Sequence, residues 1–227
     1  MTLLKGDKLT DWISSIRSKP RALHSTGVIP LDMVMGGGFI EGDFIEIASE
    51  SGTGKSTALL DMSEYLMSIG FKVGYLDTEF SIKESEDGKV SMLESTGVAK
   101  LITNPEDPKL TNFLALNPTT YTELENALIF LLENNFKVAI VDSITEIIPE
   151  GLLERGVEQV TIGEKARTQT TFLEKYRSLC KKAGLTVFFV NQMKTKIGIG
   201  FGEKTEIVSG GSKSLKYLCD IWIRIKG

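Results

Sequence analysis

"DFIEIASESGTGKSTALLDMSEYLMSIG", residues 43 to 70, decides the fold. An apolar, strand-like run (43 to 49) meets a helix-patterned run (55 to 70) through a turn of small and polar residues: Ser49, Glu50, Ser51, Gly52, Thr53 and Gly54, with Lys55, Ser56 and Thr57 opening the helix. Such a turn aims backbone amides and the positive end of the helix dipole at an anion. Lys55 can reach the terminal phosphates of a nucleotide, and Ser56 can ligate Mg²⁺. The pattern departs from G-x-x-x-x-G-K-[ST] at one place, where Ser49 occupies the first glycine position. Gly52 and Gly54 are expected to let the loop close all the same, so nucleotide affinity is the property this exchange touches. A helix-capping turn is the competing account. A strand before the turn and a helix after it favour the phosphate site.

Outward from this unit the same alternation continues. Strand-like "KVGYLD" (72 to 77), a helix around 120 to 134, strand "KVAIVD" (137 to 142), a long helix about 163 to 183, strand "LTVFFVN" (185 to 191) and a last strand "DIWIRI" (220 to 225) follow in order. Apolar strands alternating with helices predict an α/β domain, a mostly parallel sheet with helices on both faces. Charged, glycine-containing "SIKESEDGKV" (81 to 90) reads as a solvated loop, and 103 to 119, with Pro105, Pro108 and Pro118, as an irregular connection. Ahead of the domain, Leu9, Trp12, Ile13 and Ile16 share one helix face, Thr10 can cap it, and Lys19-Pro20 stops it. That helix suits packing on its own domain and docking on a neighbour equally. The chain thus divides into a short helical arm (1 to 24), a candidate oligomerisation element, and a core (25 to 227).

With 227 residues, 41% hydrophobic and 25% charged, the chain can bury one good core. Its two cysteines, Cys180 and Cys219, form neither a disulfide framework nor a metal-binding spacing and read as reduced thiols. No apolar run approaches the ~20 residues of a membrane span, and the N-terminus lacks a signal-peptide core. A cytoplasmic location is expected. The net charge of −4 argues against a general nucleic-acid coat, yet residues 194 to 227 hold seven basic against three acidic side chains. A polyanion would meet that part of the molecule.

In an open parallel sheet, ligands gather at the carboxyl ends of the strands. Asp77 and Glu79 follow one apolar strand, Asp142 a second and Gln192 a third. Asp142 is placed to support Mg²⁺ directly or through water, and Glu79 to orient and deprotonate a water facing a γ-phosphate. Gln192 can donate and accept, so it can sense that phosphate. It also stands at the root of "MKTKIGIGFGEKTEIVSGG", which would then switch between order and disorder with nucleotide state. Each group alone could merely cap a strand end near solvent. Their agreement on one site makes that account the weaker one.

These residues resemble the RecA family of DNA recombinases, nearly continuously from about residue 25 to 226. "STGVIPLDMVMGGGFIEGDFIEIASESGTGKST" resembles the family's approach to its P-loop, "LDTEF" the strand end with the catalytic glutamate, and "AIVDS" its Walker B strand. "NQMKTKIGIGFGEKTEIVSGGSKSLKY" resembles the second DNA-binding loop and the Gly-Gly segment after it, and "ERGVEQVTIGEKAR" (154 to 167) the first. The resemblance implies a P-loop NTPase of the RecA type that binds ATP and Mg²⁺. Lys55, Ser56, Glu79, Asp142 and Gln192 would hold the roles given above. DNA would meet loops at about 150 to 164 and 193 to 212, through Arg167, Met193, Lys194, Lys196, Gly198, Gly210 and Gly211. Ile162 and Ile197 would wedge between base triplets; as a residue, Ile162 also suits a core.

The implied function is that of a DNA-dependent ATPase. It would be a recombinase that forms a filament or ring on single-stranded DNA, pairs it with homologous duplex DNA in recombination and repair, and works with a mediator or single-strand-binding protein. Nothing in the sequence matches the C-terminal domain of bacterial members or the lysines beyond the core that reach a neighbour's ATP. The arm is short, and 80 to 119 is longer than the family pattern. This brevity resembles core-only recombinases and annealing proteins of bacteriophages. Two further readings stay open: an annealing or mediator protein with little turnover, and another RecA-fold motor such as a hexameric helicase.

Overall fold

The computed structural model describes residues 20–80, 82–84, 90–92, 112–154, 163–197, 204–208 and 214–226. Leu23–His24 (β1) and Phe39–Ile40 (β2) pair antiparallel around a short helix, Ile29–Val34 (α1), which opens on Pro30. Phe44–Ser49 (β3) is buried at every position and runs into Lys55–Ser68 (α2) through the small-residue turn. Val73–Asp77 (β4) follows, then Ile82–Glu84 (β5) and Val90–Met92 (β6), Phe113–Leu116 (β7), Tyr121–Glu133 (α3) and Val138–Asp142 (β8). The rest of the described chain is Glu150–Glu154 (α4), Glu164–Ala183 (α5), Thr186–Ile197 (β9), Lys204–Val208 (β10), Ser214–Leu218 (α6) and Ile221–Arg224 (β11).

The main sheet has the order β11-β3-β9-β8-β4-β7, with every neighbouring pair parallel. Because β9 and β8 lie between β3 and β4, the turn after β3 opens beside the end of β9 rather than beside β4. Strand alternation then sorts the core into two layers. Ile45, Ile47, Tyr75, Ile140, Phe188 and Val190 pack with Leu59, Met62 and Leu66 of α2 on one face. Phe44, Leu76, Val141, Val187 and Phe189 pack on the other with Leu124, Leu128 and Leu131 of α3, Phe172 and Tyr176 of α5, and Leu215 of α6. Each such fully buried side chain contributes about 1.5–3 kcal/mol of transfer free energy. At Gly74 of β4 a Cβ would come within 2.6 Å of the Leu131 side chain, so any other residue here would require Leu131 of α3 to shift.

Local signals set the helix ends. Thr120 accepts from the Glu123 amide at 3.2 Å while Glu123 reaches back to the Thr120 amide, a reciprocal cap that starts α3. Gly163 and Gly184 bound α5 in the left-handed region, with φ of 90° and 73°.

Several expectations are corrected here. The stretch from 81 to 90 is not simply a loop: β5 and β6 pair antiparallel within and beside it. Within 103 to 119, Phe113–Leu116 is a strand, and it forms the edge of the main sheet next to β4. The strand expected to end at 191 runs on to Ile197, where β10 pairs with it antiparallel from Lys204↔Ile197 to Val208↔Met193. Part of the segment read as the second DNA loop is therefore a hairpin, and its Lys194, Lys196 and Ile197 lie on β9. The expected first loop, 150 to 164, opens with α4 instead of coil; Ile162 lies outside the described residues, as do Gly198, Gly210 and Gly211. The helix expected from Leu9 to Ile16 also lies outside them.

Candidate functional site

The turn after β3 is glycine-dependent at two points. Gly52 and Gly54 have φ of 76° and 85°, a region costly for side-chain-bearing residues, although a Cβ at either would meet open space. Gly54 is the residue from which α2 starts. Glu50, Ser51, Gly52, Gly54 and Thr57 are exposed, Thr53 and Ser56 half-buried, and Lys55 is 7% exposed. The Lys55 ammonium donates to Ser49 Oγ at 2.8 Å and to the Glu50 carbonyl at 2.9 Å. The serine in the first glycine position thus contributes an acceptor of its own, beside the backbone carbonyl, and ties the lysine to the start of the loop. Burial pushes the Lys55 ammonium down from its usual range, and the charges of Asp142 and Glu79 push it back.

Strand register assembles the rest. Ser49 pairs with Gln192 across β3 and β9, and Asp77 with Asp142 across β4 and β8, so all these groups reach one rim. Asp142 is 3% exposed. Its Oδ2 accepts from Ser56 Oγ at 2.7 Å and from the Tyr75 hydroxyl at 2.7 Å. Gln192 Nε2 donates to Glu79 Oε1 at 2.6 Å, joining the expected sensor to the expected base. The Glu79 amide is fixed by Asp77 Oδ1 at 3.2 Å, and Asn117 Nδ2 holds the Asp77 carbonyl at 2.9 Å. Burial and then the neighbouring Asp142 charge raise the proton affinity of Glu79, against hydrogen bonds from Gln192 and Ser143. A carboxylate made more basic in this way is a better proton acceptor.

The donor set fits a hard divalent cation. Ser56 Oγ and the Asp142 carboxylate supply oxygen, as Mg²⁺ requires. Among the described residues no group of three or more His, Cys, Asp or Glu could hold a metal. Such an ion would take its remaining ligands from phosphate oxygens and water, which is how Mg²⁺ is held at nucleotide sites.

The residues assigned to DNA are placed less uniformly. Met193 is 8% exposed and so is enclosed rather than presented. Arg167 is exposed on the first turn of α5. The β9 backbone carries Lys194, Lys196 and Ile197 directly beyond Gln192.

Sequence reasoning missed the hydrogen-bonding partners of the rim. Tyr75 interrupts the apolar run "VGYLD", and a tyrosine hydroxyl in a buried strand needs an acceptor, which was the available signal. Thr78 Oγ1 donates to the Ser143 carbonyl at 2.8 Å and accepts from the Ser143 amide at 2.7 Å, bonding the ends of β4 and β8 to each other. The pairing of Glu46 with Asn191, at 2.7 Å within the core, had no local signal at all.

A glycine-rich turn entering a helix, at the switch point of a parallel sheet and facing a carboxylate two strands away, defines a P-loop α/β domain. The chain belongs to the RecA N-terminal domain family, which it matches over residues 14–227. Curated relatives named Protein RecA include that of Malacoplasma penetrans (strain HF-2), 30% identical over 203 residues, covering 88% of this chain and 56% of the relative. That of Picosynechococcus sp. is 26% identical over 201 residues, covering 88% of this chain and 53% of the relative. The chain therefore spans about half the length of the curated relatives it matches. Among solved structures, the crystal structure of the RadB recombinase superposes with a TM-score of 0.56 at 22% identity, covering 88% of this chain and 81% of that one, a likeness of fold. Among the described residues no helix is long and apolar enough to cross a membrane.

Proposed function

We propose that the protein is an ATP-dependent, single-stranded-DNA-binding recombinase core, acting in homologous recombination and repair. The observation that carries this reading is the bond between Gln192 and Glu79, because it links the ATP-facing rim to the strand that continues into the lysine-bearing hairpin. ATP lies along the turn from Ser49 to Thr57, with Lys55 released from Ser49 and Glu50 to the terminal phosphates. Ser56 and Asp142 would hold Mg²⁺, which would neutralise phosphate charge. Glu79 takes a proton from a water as the water oxygen bonds to the γ-phosphorus. The bond to the β–γ bridging oxygen breaks, and ADP and phosphate leave. Gln192 exchanges its Glu79 partner for the γ-phosphate, and the β9–β10 hairpin moves with it. DNA is held on the hairpin side by Lys194, Lys196 and backbone amides, and Arg167 at the start of α5 adds a further contact. Several protomers line one DNA strand and pair it with homologous duplex.

The Ser49 hydroxyl on Lys55 favours a second reading, in which ATP and single-stranded DNA are bound with little turnover, as in an annealing or mediator protein. Steady-state ATP hydrolysis with and without single-stranded DNA separates the two, with Glu79→Gln as the blank. The recombinase reading expects strong stimulation by DNA. Retained DNA binding with no stimulation would replace it with the second.

A further inference from the structure

We propose that Tyr75 is a positioning residue that fixes the Asp142 carboxylate and, through it, aims the Ser56 hydroxyl at a nucleotide-bound divalent cation; this rests on the nucleotide reading above. Asp142 Oδ2 receives two donors, Ser56 Oγ and the Tyr75 hydroxyl, each at 2.7 Å. A carboxylate oxygen holding two donors has its in-plane acceptor sites occupied. That oxygen is therefore committed to the protein, and only Oδ1 remains for a cation-bound water. Ser56, having spent its proton on Asp142, turns its lone pairs away from that bond, the orientation a hydroxyl needs to ligate a cation.

Tyr75 is suited to the task by its place in the sheet. It lies on β4 in register with Ile140, two residues along from the Asp77↔Asp142 pair, so its ring fills the α2-side core while its hydroxyl reaches the rim. The side chain is fully buried, and Phe113 lies against it with ring centroids 6.3 Å apart. Toward a carboxylate oxygen its hydroxyl can only donate. Were the hydroxyl absent, Oδ2 would be held by Ser56 alone, and the carboxylate could swing toward the Lys55 ammonium, whose charge it already feels.

The test is Tyr75→Phe, which keeps the ring and removes one oxygen. A fluorescent non-hydrolysable ATP analogue is titrated in EDTA and then across a Mg²⁺ series. The Mg²⁺ concentration at half-saturation should rise about 10-fold, the low end for loss of a residue that orients a metal ligand. Affinity in EDTA should stay as in the parent. Tyr75→Phe together with Asp142→Asn should lose far less than the sum of the two single losses, since Tyr75 acts chiefly through that carboxylate. An unchanged Mg²⁺ midpoint, an equal loss with and without Mg²⁺, or additive losses in the double variant would each overturn the inference alone. Parent protein that binds the analogue in neither condition would overturn the nucleotide reading, and the inference with it.

Discussion

The β4–β8 rim and the β9 extension both begin where a core strand ends, yet different constraints place them. At the rim, Asp77 and Asp142 are register partners, and Thr78 and Ser143 bond the two strand ends to each other at 2.7 and 2.8 Å. Parallel neighbours stand on both sides of β8. Beyond Gln192, β9 leaves β3, whose last pair is Ser49↔Gln192, and among the described residues continues paired with β10 alone. The backbone at the rim inherits its position from the whole core, whereas that of the extension inherits its own from one antiparallel partner. A chemical step that needs sub-ångström placement belongs to the first kind of scaffold, and a surface that changes with ligand belongs to the second.

The most severe way to break the rim is Glu79→Gln. The amide keeps an acceptor for Gln192 but cannot take a proton, so ATP turnover should fall about 10²–10⁴-fold with nucleotide affinity retained. The parent's pH profile sharpens the point. Burial and the Asp142 charge raise the carboxyl above its ordinary 4.5, so activity should fall with acidification at a pH above that value. Unaltered turnover in the variant would remove Glu79 from the base role.

The same contrast explains what was legible in the sequence. "VGYLD", "VAIVD" and "FFVNQ" each end an apolar run on a polar residue, and such a residue at the carboxyl end of a parallel strand lands on the rim whatever the exact register. Asp77, Asp142 and Gln192 could be found that way. Tyr75 as a partner of Asp142, and Asn191 as a partner of Glu46, depend on which strands neighbour which, and that order is set by packing across the whole sheet. Short elements escaped for another reason. The two-residue β1 and β2 and the six-residue α1 are too brief to show a period, and β7 is masked by the prolines that precede and follow it. The hairpin resembles a loop in sequence because glycines stand beside the alternating "KTEIV" of β10.

Breaking the extension should cost less and look different. Lys194→Ala with Lys196→Ala should leave nucleotide binding unchanged and weaken single-stranded DNA binding, lowering the slope of log affinity against log salt by about 1.4 if each lysine neutralises one phosphate. A slope that does not move would transfer DNA contact to another face.

The smallest expected effect lies where the two regions join, beneath both, at Glu46 of β3 and Asn191 of β9. Glu46 is 1% exposed, and Asn191 Nδ2 donates to its Oε1 at 2.7 Å. Its Oε2 and Asn191 Oδ1 have no hydrogen-bond partner of good geometry among the described residues, so two buried acceptors share a need for one donor. A proton retained on Glu46 would supply it. Burial raises this carboxyl above 4.5, opposed by Asn191, Trp222 and Lys216. As pH rises past 4.5 the unfolded chain releases its proton first, so the folded state binds more protons and stability falls until the folded carboxyl also ionises. Glu46→Gln offers an amide donor at every pH and should escape that loss. Its melting temperature should gain on the parent's as pH rises above 4.5, with about 2–4 °C for each kcal/mol in a domain of this size. A constant difference would mean that Glu46 ionises as an ordinary carboxyl, and that the β3–β9 junction under the P-loop is held by a charge rather than by a shared proton.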